Sequence, residues 1–416
     1  MRFRLPFLRP RVPAAQLDAG TTAQQLPTQG VIRVDYDIAM PGGGPAVLDV
    51  FLGGARTPAL SRAVTLPPAG PQHGWFGVHG HLLPDGPLEL RLQLRIGRAV
   101  AARKDITVHV RNAGPIAEWV KARLEARGTP LIVDGPCDST LYDYADTSMT
   151  AWFDRSPAEI DAHLAELAAS GRADADEIAA LRTFAEQGYL TLPQRIEPEL
   201  LERLNAALDD AVARKVQGYE WGSSERLKNL HDEYPAIREL WTHPRILRML
   251  ELIFGVPAAP CQTLAYVFGS QQEHHQDTIH LTPFPAGRMC GVWTALEDVQ
   301  EGSGELAVFP GSHRLPRVYM AGSGVAKVTD EDWRHFGEVI VPIWTRLIEE
   351  NRLPRDIYRP KAGEVLVWHE NLMHAGVPRT DMSKSRRSIV GHYFAEGAIA
   401  YYDSSGAPGA TFAVSA

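Results

Sequence analysis

The chain has 416 residues, a length that predicts two domains rather than one. A hydrophobic content of 44% is typical of a folded protein, and a net charge of −8 gives no reason to expect nucleic acid or an anionic membrane as a partner. Three cysteines without CxxC spacing and the lack of an apolar run near the ~20 residues of a membrane span favour a cytoplasmic protein.

The N-terminal part of the chain is predicted to form an arm followed by a small domain. Residues 1–28 show no hydrophobic periodicity, so we expect a flexible arm there and not a signal peptide. Residues 29–112 contain short alternating segments, such as 88–96, separated by Gly/Pro turns, which predicts an accessory β-sandwich domain. A glycan, a protein or a second copy of the chain are the partners left open for this domain.

A helical linker region is expected over residues 113–179. It contains a predicted helix at 116–127 and a second helix that opens at the capping-box sequence Ser156-Pro157-Ala158-Glu159. Further helices are predicted over 174–187, 198–215 and 235–254, and we expect them to flank a sheet.

In the C-terminal half, the pattern predicts a series of consecutive strands from Cys261 to Phe394. We expect a mainly β domain over residues 180–400, with a jelly-roll (double-stranded β-helix, cupin-like) core and helices packed outside. A mostly helical insertion at 316–358 interrupts the strands, and residues 401–416 are expected to be a tail.

Two short motifs in this half carry the chemistry. His275 and Asp277 are two residues apart, so on a strand they share one face, and His374 completes a facial triad with open positions on a metal. Arg386 and Ser388 follow on a second predicted strand, again on one face. An arginine fork beside a hydroxyl suits a buried carboxylate. The combination indicates an Fe(II) centre that takes 2-oxoglutarate.

These motifs lie within a longer stretch that resembles the phytanoyl-CoA dioxygenase family of Fe(II)/2-oxoglutarate oxygenases. The resemblance covers roughly residues 180–396 and departs from the family in the GELAVFPGSHR turn and in the loop after His374, where the substrate pocket would be lined. The matching segments are FAEQGYLTLP, HPRILRMLELIFG, EHHQDTIHL, GVWTALEDVQEGSGELAVFPGSHR, AGEVLVWHENLMHAGVPR and RRSIVGHYF.

The resemblance implies a role for each matching position. His275, Asp277 and His374 would bind iron and form the catalytic centre, and Arg386 with Ser388 would bind the far carboxylate of 2-oxoglutarate. With O2, such an enzyme hydroxylates an unactivated C–H bond of a small or medium organic substrate and releases succinate and CO2. The carboxylate of Asp277 favours hydroxylation over halogenation, because related halogenases lack it.

Further polar and aromatic residues lie near these motifs in the sequence. Gln262 and Tyr266 share one face of the preceding predicted strand and are further candidates for cofactor binding. Structural or rim roles are expected for His274, His280, His313, His369, Trp293, Lys228 and Asn229.

Two alternative functions stay open from the sequence. One is a cupin-like metal-dependent isomerase or hydrolase, which would need no dicarboxylate clamp at Arg386. The other is a non-catalytic binding protein that works through the N-terminal β-sandwich.

Overall fold

The computed structural model describes residues 15–21, 30–112, 114–409 and 411. The chain divides into two compact units. The N-terminal unit is Met1–Arg111 with Pro130–Gly135, and the C-terminal unit is Asn112–Thr129 with Pro136–Ala416. The protein is mainly β with some helices, and no helix among the described residues is long and apolar enough to cross a membrane.

The N-terminal unit consists of two antiparallel four-stranded sheets, in the orders β1-β2-β5-β8 and β4-β3-β6-β7. Alternating side chains from both sheets enter one apolar cluster, which includes Val34 and Phe76 from the first sheet and Leu48 and Leu90 from the second. The strands are β1 (Gln16–Thr21), β2 (Val31–Ala39), β3 (Gly44–Leu52), β4 (Leu60–Leu66), β5 (Gln72–His79), β6 (Gly86–Ile96), β7 (Ala99–Val110) and β8 (Ile132–Val133).

Strand β1 differs from the predicted flexible arm. Gln16–Thr21 pairs with β2 along its whole length, from Gln16 opposite Ala39 to Thr21 opposite Val34. The segment QLDAGT has little hydrophobic character of its own, and its order comes from backbone hydrogen bonds to β2, the next strand along the chain. The rest of the predicted arm, 1–14 and 22–28, lies outside the described residues.

The helices of the C-terminal unit begin where local signals predict. The capping boxes of Ser156 with Glu159 and of Asp174 with Glu177 open two of them, and Gly128, with a φ of 66°, ends the first. The helices are α1 (Pro115–Arg127), α2 (Pro157–Ala169), α3 (Ala175–Gln187), α4 (Pro198–Ala213), α5 (Pro235–Trp241), α6 (Pro244–Phe254) and α7 (Arg334–Glu350).

The sheets of this unit are all antiparallel. A six-stranded sheet has the order β10-β11-β18-β13-β16-β9, and two three-stranded sheets have the orders β12-β19-β20 and β15-β14-β17. Their strands are β9 (Tyr189–Thr191), β10 (Leu227–Lys228), β11 (Ala258–Tyr266), β12 (Thr282–Phe284), β13 (Met289–Ala295), β14 (Leu306–Val308), β15 (Asp356–Tyr358), β16 (Val365–His369), β17 (His374–Gly376), β18 (Ser388–Ala395), β19 (Ile399–Tyr402) and β20 (Ala407–Pro408).

The register of the six-stranded sheet assembles one functional face. In β18, Ser388 lies opposite Tyr266 and His392 lies opposite Gln262. Because directly opposed residues of an antiparallel pair share a face, these side chains project to the same side of the sheet. The same face carries Leu264, Trp293, Leu366, Trp368 and Val390.

Two segments of the C-terminal half contain strands that the sequence did not predict. The insertion at 316–358 ends in β15, which pairs with β14 and so belongs to a sheet. The predicted tail 401–416 contains the end of β19 and all of β20, because Tyr401 pairs with Thr282 and with Pro408. The pairings of β14 with β15 and of β12 with β19 are long-range, and no local pattern reports them. Residues 410 and 412–416 lie outside the described part.

Candidate metal centre

The three predicted metal ligands lie together in the C-terminal unit. Asp277 Oδ1 is 3.6 Å from His275 Nε2 and 3.8 Å from His374 Nε2. All three residues are buried, and their ligand atoms lie within 4.8 Å of one another. Within the described ranges this is the one cluster with a geometry suited to a metal ion.

The local structure that places these residues differs from the predicted strand. His275 and His374 form an isolated two-residue bridge, with backbone N–O distances of 3.0 and 3.1 Å. Asp277 then opens a 3-10 helix over Asp277–Ile279. The bridge sets the two imidazoles side by side, with ring centroids 4.2 Å apart, and the tight turn returns the carboxylate to them. His275 and Asp277 therefore do not share the face of a strand as predicted, although their side chains do meet.

Both imidazoles are oriented by backbone carbonyls. His275 Nδ1 is 2.8 Å from the carbonyl oxygen of Glu273, and His374 Nδ1 is 3.0 Å from that of Leu372. A carbonyl only accepts, so each Nδ1 carries the proton and each Nε2 offers a lone pair. Burial lowers the pKa of His275 well below its usual value and keeps this ring neutral. Two neutral imidazole nitrogens and one carboxylate oxygen fit Fe(II).

The second oxygen of Asp277 has its own support. Trp368 Nε1 donates a hydrogen bond of 2.7 Å to Oδ2, and His392 Nε2 lies 3.6 Å from it. Burial alone would raise the pKa of Asp277, but the surrounding histidines, His374 foremost, hold it below its usual value. Trp368 and His392 were missed in the sequence, although the alternation used for Arg386 and Ser388 reaches His392 two steps later on the same face.

A glycine makes room for that tryptophan. Gly291 lies opposite Trp368 in the sheet, and a Cβ on it would lie 2.2 Å from Trp368 Cε2. The indole is thus packed against bare backbone, which keeps its Nε1 aimed at Asp277.

Arg386 and Ser388 form a buried polar site, and Arg386 has no ion-pair partner among the described residues. Arg386 is 2% exposed, and its guanidinium carbon lies 5.6 Å from the ring centroids of both Tyr266 and Trp293. Arg386 Nε, Ser388 Oγ and Trp293 Nε1 have no hydrogen-bond partner in the part of the chain that the structure describes. Burial lowers the pKa of Arg386 to about 10. A buried, unpaired cation is costly, so the site fits a ligand that brings a carboxylate.

The two further cofactor candidates lie on the same sheet face. Tyr266 supports the Arg386 guanidinium with its ring. Gln262 Nε2 lies 3.2 Å from His392 Nδ1 and thereby orients the imidazole beside Asp277. Gln262 is thus linked to the metal ligands through His392.

Three of the remaining histidines have partners of their own. His274 Nε2 bonds Thr345 Oγ1 at 2.8 Å, His313 Nε2 lies 3.3 Å from the carbonyl oxygen of Ala185, and His369 Nε2 lies 3.4 Å from Asp154 Oδ2. These contacts are structural and agree with the roles expected from the sequence.

Three aromatic residues of the insertion and His280 form an aromatic wall beside the centre. His280 packs against Trp333, Phe336 and Trp344, with centroid distances of 5.5, 5.4 and 6.4 Å, and lies 5.9 Å from the ring of His275. Trp344 Nε1 donates a 3.0 Å hydrogen bond to Gln276 Oε1, which ties α7 to the ligand-bearing segment. We call His280, Trp333, Phe336 and Trp344 the aromatic wall.

Two neutral imidazoles and one carboxylate, together with a buried guanidinium that has no ion-pair partner among the described residues, define a class of enzyme: the Fe(II)/2-oxoglutarate-dependent dioxygenases, which use O2. Residues 184–388 match the family model for Phytanoyl-CoA dioxygenase (PhyH). This part of the chain belongs to the phytanoyl-CoA dioxygenase family.

Several known proteins are similar to this chain. The chain is 27% identical to 1-deoxypentalenic acid 11-beta-hydroxylase of Streptomyces exfoliatus over 221 residues, which cover 47% of this chain and 73% of that protein. It is 32% identical to Phytanoyl-CoA dioxygenase domain-containing protein 1 of Danio rerio over 109 residues, which cover 24% and 37%. A solved structure, the non-heme alpha ketoglutarate dependent carbocyclase SnoK from nogalamycin biosynthesis, is similar with a TM-score of 0.45 and 21% identity, covering 57% of this chain and 93% of that one.

Proposed function

We propose that this protein hydroxylates an unactivated C–H bond of a small or medium organic molecule, with 2-oxoglutarate and O2 as co-substrates and succinate and CO2 as products. The observation that carries the proposal is the unpaired Arg386–Ser388 site on the same sheet face as Trp368 and His392, the partners of Asp277. A metal-dependent isomerase or hydrolase has no use for such a carboxylate site.

Each residue has a defined task in this proposal. His275, Asp277 and His374 hold Fe(II), which when bound supplies the oxidation of 2-oxoglutarate and of the substrate by O2. Arg386 binds the far carboxylate of 2-oxoglutarate through its fork, and Ser388 donates a further hydrogen bond.

Neighbouring side chains complete the cofactor site. Tyr266 and Trp293 cover the guanidinium of Arg386 and exclude water, which strengthens its hold on a carboxylate. Gln262 keeps His392 directed at Asp277.

The architecture we infer agrees with this use. The antiparallel sheets of the C-terminal unit support a double-stranded β-helix for the catalytic domain at 180–400. The two four-stranded sheets with a common core support a β-sandwich at 29–112. A glycan, protein or second-copy partner of that domain and a cytoplasmic location stay predictions.

The test is an anaerobic titration with Fe(II) and then 2-oxoglutarate, following the visible charge-transfer band of a chelated 2-oxo acid. We expect the band in the wild type and none in His374→Ala. Arg386→Ala should need about 30- to 1000-fold more 2-oxoglutarate, since a buried charge pair loses one member. Arg387→Ala is the matched control, because the Arg387 guanidinium pairs with Asp209 Oδ1 at 2.6 Å near the surface.

Two results would contradict the proposal. A folded wild-type protein that gives no band would move the metal isomerase and binding-protein alternatives forward. Equal 2-oxoglutarate requirements for Arg386→Ala and Arg387→Ala would remove Arg386 from the cofactor site.

A further inference from the structure

We infer that Arg226 selects the substrate by binding an anionic group, so that the substrate class is an apolar molecule with one carboxylate or similar anion. The inference rests on the proposed function and concerns the same site. It concerns the chemical class of the substrate and the residue that recognises the substrate's anionic group.

Arg226 precedes the edge strand of the six-stranded sheet. In β10, Leu227 lies opposite Ala265 and Lys228 lies opposite Leu264. Leu264 is on the functional face, so Lys228 belongs to that face. Arg226 directly precedes β10, and extending the same alternation by two residues from Lys228 assigns it to that face, next to Tyr266. Arg226 therefore borders the side of the sheet on which the metal ligands have their partners.

Arg226 is a half-buried residue, and its side chain forms no hydrogen bond or ion pair with any described residue. Its neighbour differs, since Lys228 Nζ bonds Glu331 Oε1 of the insertion at 3.2 Å. Many of the chain's other arginines are paired with acids, for example Arg203 with Glu239 and Arg387 with Asp209. A partly desolvated cation without an acid at the site is a binding group for an anion.

The segment that carries Arg226 lies beside the outer end of the aromatic wall. The hydrogen bond from Lys228 Nζ reaches Glu331 Oε1, and Glu331 precedes Trp333 of the wall by two residues. His280, which packs against Trp333, lies 5.9 Å from the metal ligand His275.

The wall itself suits an apolar body. Phe336 and Trp344 are buried, whereas Trp333 at the outer end is 40% exposed, so the wall runs from the solvent toward the centre. A substrate lying along these rings buries apolar area while its anionic group pairs with Arg226. A neutral analogue would leave the guanidinium unpaired, and a cationic analogue would be repelled.

The test uses matched triplets of carboxylic acid, primary amide and primary amine on the same aliphatic, alicyclic or aromatic bodies. Binding to the Fe(II)/2-oxoglutarate protein is followed anaerobically by tryptophan fluorescence, and succinate formation is followed in air. We expect acids to bind and to stimulate succinate formation above their amides. Arg226→Gln should weaken acid binding on the order of 10- to 100-fold, as the loss of a charged hydrogen bond does. The Kd for 2-oxoglutarate should not change.

Three variants sharpen the result. Arg226→Lys should keep the preference for acids at reduced affinity, and Arg226→Glu should shift it toward amines. Arg203→Gln, which removes the same charge from a surface pair, should behave as the wild type. If Arg226→Gln does not fold, Arg226→Lys and Arg226→Glu decide the matter.

The inference and the proposed function fail in different ways. Absence of the charge-transfer band in the folded wild type would contradict the proposed function. A wild type that loads 2-oxoglutarate yet responds equally to acids and amides, or to no acid of the panel, overturns the role of Arg226 alone. An acid preference that survives in Arg226→Gln overturns it as well.

Discussion

The two carboxylate oxygens of Asp277 have different neighbours, and this difference determines how many of them can bind a metal. Oδ1 faces the two imidazoles, while Oδ2 accepts a 2.7 Å hydrogen bond from Trp368. With one oxygen occupied by the indole, the carboxylate is limited to one donor atom toward the centre. Partners of this kind orient a ligand and are worth 10- to 100-fold in metal affinity, roughly.

Trp368→Phe should therefore weaken metal binding about 10- to 100-fold, because it removes the N–H donor and keeps an aromatic ring. An anaerobic Co(II) or Fe(II) titration measures the change. Trp119→Phe is the control, since its Nε1 donates to Ser148 Oγ at 3.0 Å in an exposed contact. Equal affinities in the two variants would mean that the indole hydrogen bond does not position Asp277.

Helix α7 is held in position by one apolar cluster. Trp344 is 1% exposed and packs with Phe336 and Ile340, and with Met373 from the segment before His374. The helix carries Pro342 in its interior, which removes a backbone hydrogen bond and would weaken it in isolation. Packing against the metal-binding segment compensates for that loss.

Trp344→Ala should destabilise this region by about 3–5 kcal/mol, because it empties a buried aromatic site. Hydrogen exchange over residues 334–350 should become much faster. Trp333→Ala on the exposed end of the wall should leave exchange close to the wild type. Unchanged protection in Trp344→Ala would show that α7 is stabilised elsewhere.

Several histidines of the protein are buried and neutral. Burial lowers the pKa of His231 to about 4 and that of His313 to about 3. The unfolded chain binds protons near pH 6.5, while the folded chain does not until the pH reaches these lower values. Stability is therefore fully present above about pH 6.5 and is lost as the pH falls through this window.

His231→Gln should flatten this dependence. The His231 ring stacks 3.8 Å from Trp241, and its Nδ1 lies 2.8 Å from Thr263 Oγ1. The wild type should lose about 2 kcal/mol of stability between pH 7 and pH 5 through this residue, and the variant should not. Urea unfolding at both pH values measures the difference. His73→Gln, on an exposed side chain, is the control, and an equal slope in the wild type and His231→Gln would contradict the assignment.

Local signals were sufficient for the helices and for the chemical identity of the site. Capping boxes at Ser156 and Asp174 involve residues three apart, so the sequence reports them directly. His275, Asp277 and His374 were chosen by residue type and by motif, and they lie together in the fold. Their chemistry needs only those side chains, whichever backbone carries them.

Only the tertiary structure decided how the site is built. Three contacts of the site join residues distant in sequence. They are the bridge between His275 and His374, the hydrogen bond from Trp368 to Asp277, and the packing of Trp368 on Gly291. Such contacts depend on sheet register, which a single strand pattern does not contain because alternation repeats every two residues. The sequence therefore determined which groups are available, and the long-range pairing determined which of them meet.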